Sequence, residues 1–320
     1  MNISVLGCGR WGGFIAWYLN KTGHKVLVWG KRQVSNIEEL KKTRTNELIT
    51  FEKDIILTHN LEEALNHSKV VVISISSQAL RSFLEESSQI SKFKDKIIIL
   101  CMKGLEESTG KRLSQIVEET LSPTNDPVIW VGPGHVQDIT SGVPTCMIID
   151  SNNEKNKLNL AKELSGELIK IYIGTDMIGN EIGAAAKNVI GIAAGILDGL
   201  DCSSLKGTLM SRGVREISRL ILASGGKSDC AYGLAHLGDY QATLFSLHGN
   251  NRKFGESLVK NKKFDKLCEG ICTTNALLKL SRNLKINLPI CESVKLIIEK
   301  KLNPNEILSA IFPRNQQREF

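Results

Sequence analysis

The sequence predicts an α/β chain in which an N-terminal, mostly parallel sheet precedes an all-helical C-terminal domain. Three observations carry that prediction. From residue 2 to about 173, short β-branched runs alternate with helix-period segments. The runs are apolar without polar alternation, as strands covered on both faces are. After Asp176 strands give way to long amphipathic segments rich in Ala, Leu and Gly. The boundary falls near 175, giving domains 1–175 and 176–320, and a chain of 320 residues exceeds what one hydrophobic core usually organises.

In chain order the strand candidates are ISVL at 3–6, KVLVW at 25–29, IILT at 55–58, VVVIS at 70–74, KIIILC at 96–101, VIWV at 128–131, TCMIID at 145–150 and IKIYI at 169–173. Helices are expected at roughly 177–198, 206–224, 230–236, 251–260, 265–283, 290–301 and 304–311. No internal repeat or long linker separates the halves, so a helix of the second domain is expected to pack directly on the first.

Composition narrows the function. With 42% apolar and 23% charged residues, disordered, collagen-like and mucin-like chains are excluded. The formal charge of +7 is local: residues 1–175 carry +1 and residues 176–320 carry +6, much of it between Arg252 and Lys266. A solvated helix face or an anionic small molecule accounts for such a cluster. No aromatic residues interleave as stacking platforms, so nucleic acid is not expected as a partner. The eight cysteines form no CxxC pair and no cluster with histidine, which excludes a zinc site, and the stretch MNISVLGCGRWGG lacks the charged n-region and signal-length apolar core expected of a secretory signal. A cytoplasmic protein is expected. The most apolar stretch, IGAAAKNVIGIAAGIL, is read as too short to span a bilayer and it contains Lys187.

Gly7, Gly9 and Gly12 form GCGRWG, a G-x-G-x-x-G directly after an apolar strand and directly before a helical segment. The first glycine permits the turn, the second lets backbone approach a pyrophosphate, and the third allows close packing of helix on strand. The helix N-terminus then offers unpaired N–H groups to phosphates. A Rossmann-type, NAD(P)-binding domain is the expectation. The next strand ends in Gly30, Lys31 and Arg32, with no acid to accept a ribose 2′-hydroxyl. Two cations there suit a 2′-phosphate, so NADP is expected to be accepted alongside NAD.

In the second half, Gly179, Gly183, Lys187, Gly191 and Gly195 recur at i, i+4 and so share one helix face. Each glycine costs about 0.5–1 kcal/mol of helix stability, which makes sense only where another backbone or a ligand comes very close. Lys187 stands in the middle of that stripe. Removing hydride from a secondary alcohol requires a base for the hydroxyl proton, and a lysine in a buried setting can serve.

At this point the chain resembles the NAD(P)-dependent glycerol-3-phosphate dehydrogenase family of bacterial type over essentially its whole length. The matching pieces, in order, are GCGRWG, MKGLE, VGPGHVQDITSGVPT, IGNEIGAAAKNVIGIAAGILDGL, LMSRGVREISRL, YGLAHLGDYQAT and NNRKFGE. The resemblance implies a dehydrogenase that interconverts dihydroxyacetone phosphate and sn-glycerol 3-phosphate and feeds glycerophospholipid synthesis. It implies Lys187 as the proton-transferring residue, with Asp239 and Thr243 orienting lysine and substrate. Substrate contacts are implied for Lys103, Gly132, Asn188, Asn250, Asn251 and Arg252. Cofactor contacts are implied for Gly7, Gly9, Arg10, Trp11, Gly12, Lys31, Arg32, Lys103, Val136 and Glu269. A homodimer is expected, with the site between the two domains.

Two departures stand out. The hydroxyl residue that the family carries in its G-P-S/T-F-A stretch is Gly134, followed by His135 and Val136. The first arginine of the family's R-N-R motif is Asn250, leaving Arg252, Lys253 or His248 to supply positive charge for a phosphate. A related dehydrogenase acting on a different small anionic hydroxy compound is therefore kept as an alternative. A non-catalytic, cofactor-sensing protein is a further alternative, disfavoured by the joint presence of Lys103, Lys187, Asp239 and Thr243.

Overall fold

The structure is a computed structural model that describes residues 1–32, 37–46, 48–90, 93–246 and 249–312. The chain divides into two compact units, one of Met1–Lys103 with Leu113–Met177 and the other of Gly104–Arg112 with the chain from Ile178 onward. The short loop 104–112 thus joins the helical unit although it lies inside the N-terminal half of the sequence.

In the first unit, β1 (Asn2–Leu6), β2 (Lys25–Trp29), β3 (Ile56–Thr58), β4 (Val70–Ile73), β5 (Ile97–Leu100), β6 (Asp126–Val131), β7 (Thr145–Ser151) and β8 (Ile169–Ile173) form one sheet. Their order is β3-β2-β1-β4-β5-β6-β7-β8, and every neighbouring pair is parallel except β6 with β7. The first six strands reproduce the 3-2-1-4-5-6 order of doubly wound sheets, in which ligands bind where the order reverses, here between β1 and β4. Seven helices join these strands: α1 (Arg10–Lys21), α2 (Ile37–Thr43), α3 (Leu61–His67), α4 (Leu80–Ile90), α5 (Leu113–Thr120), α6 (Val136–Thr140) and α7 (Glu154–Leu164).

The continuous apolar runs are explained by burial on both faces. Ile3 and Val5 of β1 enter one core with Phe14, Ile15, Tyr18 and Leu19 of α1. Ser4, on the opposite face of β1, is equally buried and donates its hydroxyl to the carbonyl of Ala64 in α3 at 2.6 Å. Tyr18 ties α1 to the end of α7 by donating to the Leu164 carbonyl at 2.8 Å.

The second unit is helical: α8 (Met177–Gly199), α9 (Lys206–Ala223), α10 (Asn250–Val259), α11 (Glu269–Leu284), α12 (Pro289–Ile298) and α13 (Ile307–Ile311). The core helix is α8, apolar on all sides as a fully enclosed helix is, with Ala185, Val189, Ile190, Ala193 and Ile196 entirely inaccessible. By length and composition α8 is long enough to cross a membrane at 23 residues, which corrects the expectation that this stretch is too short, and most of it is buried inside the protein.

The helix expected at 230–236 does not form. A 3₁₀ turn covers Ser228–Tyr232, a second covers Leu237–Asp239, and a π-helical turn covers Gln241–Phe245. Gly233 is extended at φ −79°, ψ −178°, and His236 sits at φ −123°, ψ −83°, so both leave helical geometry within the expected span. The expected helix at 304–311 likewise splits into a 3₁₀ turn, Pro304–Glu306, and α13.

Candidate active site

In the first unit, the glycine loop follows β1 at the strand-order reversal. Gly7 has φ +120°, and a Cβ there would overlap the carbonyl oxygen of Ser74, the residue after β4. A Cβ on Gly12 would overlap the carbonyl oxygen of Gly7, so the start of α1 lies directly on the loop. Gly9 differs: nothing lies within 4 Å of the position its Cβ would take. It caps α1 without a side-chain hydrogen bond, so no capping side chain occupies the first-turn N–H groups.

The space at Gly9 continues into a cavity of about 490 Å³ lined by Cys8, Gly9, Arg10, Glu39, Leu40, Thr43, Thr45 and Asn46. Two buried donors, Trp11 Nε1 and Asn46 Nδ2, have no hydrogen-bond partner among the described residues. Open loop, helix N-terminus, exposed Arg10 and unpartnered donors together fit an anionic dinucleotide. Past the end of β2, Lys31 forms an exposed ion pair with Glu86 at 3.2 Å, and Arg32 lies 4.0 Å from Glu38. Lys103 donates to the carbonyl of Gly132 at 2.6 Å, with its ammonium 5.8 Å from the Trp11 ring centre. Lys103, Gly132 and Trp11 are thereby brought together. Val136 is buried at the first position of α6. A Cβ at Gly134 would approach Ile139 Cδ1 to 3.0 Å, so a hydroxyl side chain there would have to displace that methyl group.

In the second unit, the glycine stripe of α8 meets close neighbours. A Cβ on Gly191 would stand 2.9 Å from Thr243 Cγ2, and one on Gly183 would stand 3.0 Å from His236 Cβ. At Gly195 it would overlap the Arg252 carbonyl of α10. The stripe therefore draws the π-helical turn and α10 onto α8 at the level of Lys187. Lys187 Nζ lies 2.5 Å from Asp239 Oδ2 and donates to Thr243 Oγ1 at 3.0 Å. All three side chains are buried.

Next to Lys187, Asn188 Oδ1 accepts from Asn251 Nδ2 at 3.0 Å, and Asn251 Oδ1 accepts from the Gly270 amide at 3.0 Å and from the Cys268 thiol. Asn251 thus pins the start of α10 to α8 and α11. Asn250 is exposed and donates to the Leu267 carbonyl at 3.1 Å. Glu269 is the first residue of α11.

Arg252 departs from the expectation that it faces a substrate. Its guanidinium bonds Asp198 Oδ2 at 2.6 Å and the Ser246 carbonyl at 2.9 Å, and it is 7% exposed. Lys206 adds a 2.7 Å ion pair to Asp198 Oδ1. Burial alone would raise the Asp198 pKa, but bonds from Lys206, Ser203 and Arg252 outweigh it and hold the carboxyl below its usual range. Arg252 therefore secures α10 to the end of α8. Lys253, the next residue, makes no ion pair among the described residues, and His248 lies outside them.

Two side-chain clusters next to these residues are not visible in the sequence. The Asp198–Lys206–Arg252 cluster has no local signature, since Arg252 joins it from 54 residues away. His236 and Tyr240 form a buried pair beside Asp239, and their i, i+4 spacing is not informative outside a helix.

Comparison with known proteins follows the same lines. Residues 2–157 match the family described as NAD-dependent glycerol-3-phosphate dehydrogenase N-terminus, and residues 176–309 match its C-terminus. A Fusobacterium nucleatum protein named glycerol-3-phosphate dehydrogenase [NAD(P)+] is 35% identical over 100% of this chain and 99% of its own. A Thermoanaerobacter protein of the same name is 34% identical over 100% of this chain and 99% of its own. Among solved structures, the glycerol-3-phosphate dehydrogenase of Coxiella burnetii superposes with a TM-score of 0.90 at 26% identity, covering 98% of this chain and 99% of that one.

Proposed function

This chain belongs to the NAD-dependent glycerol-3-phosphate dehydrogenase family, and from that premise we propose that it interconverts dihydroxyacetone phosphate and sn-glycerol 3-phosphate with NAD(P)H. The observation that carries the reading is the buried Lys187 held 2.5 Å from Asp239 and 3.0 Å from Thr243.

The cofactor, when bound, supplies hydride to the carbonyl carbon or takes it from the alcohol carbon. The glycine loop, Arg10 and Trp11 would hold its phosphates, Lys31 and Arg32 would serve the 2′-side, and Lys103, Val136 and Glu269 are the further cofactor contacts we propose. In the reducing direction, Lys187 Nζ gives a proton to the carbonyl oxygen as the carbon–oxygen double bond becomes single. Solvent then reprotonates the neutral amine. Asp239 aims the ammonium and balances its charge, while Thr243 accepts one N–H and so directs another at the substrate. Gly132, Asn188, Asn250 and Asn251 are the further substrate contacts we propose. The product supplies glycerophospholipid synthesis, and eight free cysteines suit a reducing, cytoplasmic compartment. A homodimer is the assembly we propose.

A steady-state assay of dihydroxyacetone phosphate with NADH and NADPH tests the reading. Lys187→Ala should lower kcat by about 10²- to 10⁴-fold, the usual weight of a positioned acid, with cofactor binding intact. Wild-type protein that binds NADPH but oxidises none of it with this substrate overturns the proposal.

A second reading changes only the substrate, to another small anionic hydroxy compound. It draws on Asn250 being tied to Leu267 and Arg252 to Asp198, which leaves few cations at the start of α10. Equal rates with phosphorylated and unphosphorylated ketones would favour it.

A further inference from the structure

We propose that His236 and Tyr240 are positioning residues that fix Asp239 against Lys187. The inference rests on Lys187 being the proton donor and goes beyond it by assigning roles to two residues that touch none of the reacting atoms.

The argument begins with donors and acceptors. His236 Nδ1 lies 2.8 Å from the Gly183 carbonyl oxygen, and its Nε2 lies 2.6 Å from the Tyr240 hydroxyl. A carbonyl only accepts, so Nδ1 carries a proton. In a neutral imidazole Nε2 then holds a lone pair and accepts from the Tyr240 hydroxyl. Burial lowers the His236 pKa to about 4, opposed by its bond to Gly183 and by Asp239, so the ring is neutral through the working range. The tautomer is set by the fold.

These bonds close a ring of contacts around the proton donor. Gly183 and Lys187 are one helical turn apart on α8. From Gly183 the path runs through the His236 side chain to the His236 backbone, whose carbonyl accepts from the Asp239 amide at 3.0 Å. It returns through the Asp239 carboxylate to Lys187 Nζ at 2.5 Å. The ring fixes the backbone of Asp239 relative to α8: that backbone moves away from Lys187 when the imidazole slides along α8 or the 3₁₀ turn Leu237–Asp239 unwinds.

Tyr240 restrains the imidazole from the other side. The rings meet edge to face, with centres 4.7 Å apart and planes at 68°. Both residues are fully buried. Two glycines make room for them: a Cβ at Gly183 would stand 3.0 Å from His236 Cβ, and one at Gly213 on α9 would stand 3.0 Å from the Tyr240 hydroxyl. A buried polar network that satisfies both partners defines one geometry, which apolar side chains of similar volume would not do. That explains why a polar pair occupies a site which packing alone would fill with leucine.

The test uses full-length His236→Ala, His236→Asn and Tyr240→Phe. Asparagine places an amide near the position of Nδ1 and can still donate to Gly183. Displacing a catalytic group by about 1 Å costs on the order of 100-fold, so His236→Ala should lower kcat 10- to 100-fold with NADPH affinity unchanged. His236→Asn should recover most of that loss, and Tyr240→Phe should lie between wild type and His236→Ala. The alkaline limb of the kcat profile should move to lower pH in His236→Ala, because a displaced carboxylate stabilises the ammonium less. The resonance of Lys187 in ¹³C-lysine-labelled protein, assigned with Lys187→Arg, should shift in His236→Ala and Tyr240→Phe. This last readout needs no turnover, so it decides the proposal even if the wild-type protein fails on the proposed substrate. Where His236→Ala does not fold, His236→Asn and Tyr240→Phe decide it. Folded variants that retain the wild-type kcat, pH profile and Lys187 resonance overturn it, as does an equal loss in all three variants with an unmoved profile and resonance.

Discussion

Arg252 turns its guanidinium onto Asp198, Nη1 to Oδ2, at 2.6 Å, with both side chains about nine-tenths buried. The pair joins the start of α10 to the end of α8, and Lys206 shares the same carboxylate. Leaving a buried charge wholly unpaired costs about 3–5 kcal/mol; without Arg252 the Asp198 carboxylate keeps Lys206 and Ser203, so the loss should be a part of that. Arg252→Ala should therefore lower the midpoint of a urea melt. Asp198 has a folded pKa below its unfolded value, so its stabilisation is present above the unfolded pKa and is lost as pH falls through the folded one. The variant should lose part of that acid-sensitive stability. A variant with wild-type stability and a raised KM would return Arg252 to the substrate.

Asn250 is the position where added charge should alter binding. It is the exposed first residue of α10, and no acidic side chain lies in that helix's first turn. Asn250→Arg replaces a neutral amide by a fork of donors at the helix end where anions are favoured. A hydrogen bond to a charged group contributes roughly 1.5–3 kcal/mol, and exposure reduces it. KM for dihydroxyacetone phosphate should then fall about tenfold, with kcat for the bound substrate little changed. An unmoved KM would mean that the substrate's anionic group is held elsewhere.

Glu216 gives the helical unit a pH-dependent element. Its carboxylate, on α9, accepts from the amides of Ile290 at 2.9 Å and Cys291 at 3.1 Å, at the start of α12. Burial raises its pKa to about 7, against the lowering effect of those two amides. Here the folded pKa exceeds the unfolded one, so the folded state binds more protons between the two values. Stability should fall as pH rises from about 4.5 to about 7, by roughly 3 kcal/mol from this group. Glu216→Gln removes the titration, so melts across that range should show a flatter slope than the wild type. An unchanged slope would assign the dependence to other groups.

The features legible in the sequence are those whose physical cause is local. Gly7, Gly9 and Gly12 announce a loop because their spacing between a strand and a helix is itself local, although the backbone that Gly7 admits is that of Ser74, and the stripe from Gly179 to Gly195 announces close packing because it repeats along one helix. The strand runs were readable because a sheet covered on both faces selects apolar residues at every position. Arg252 was not readable: which way its side chain turns depends on Asp198, 54 residues away. The stretch 230–236 reads as helical in composition, but Gly233 and His236 leave helical geometry, and His236 gains a bond to Gly183 on another element. In both places contacts distant in sequence outweigh local preference.

On the proposed function, the cations at the end of β2 should set the preference between NADH and NADPH. The exposed pairs Lys31–Glu86 and Arg32–Glu38, at 3.2 Å and 4.0 Å, are of a kind that contributes about 0–1 kcal/mol each. Either cation can exchange such a partner for a 2′-phosphate dianion at little cost, whereas a 2′-hydroxyl offers no comparable charge. The double variant Lys31→Ala, Arg32→Ala should raise KM for NADPH by about tenfold or more and leave KM for NADH nearly unchanged. The NADPH effect should shrink in high salt, because screening reduces an exposed charge contact before it reduces a hydrogen bond to ribose. Equal losses for both cofactors would mean that the two cations grip a part of the cofactor common to NADH and NADPH, and that discrimination at the 2′-position arises from other residues.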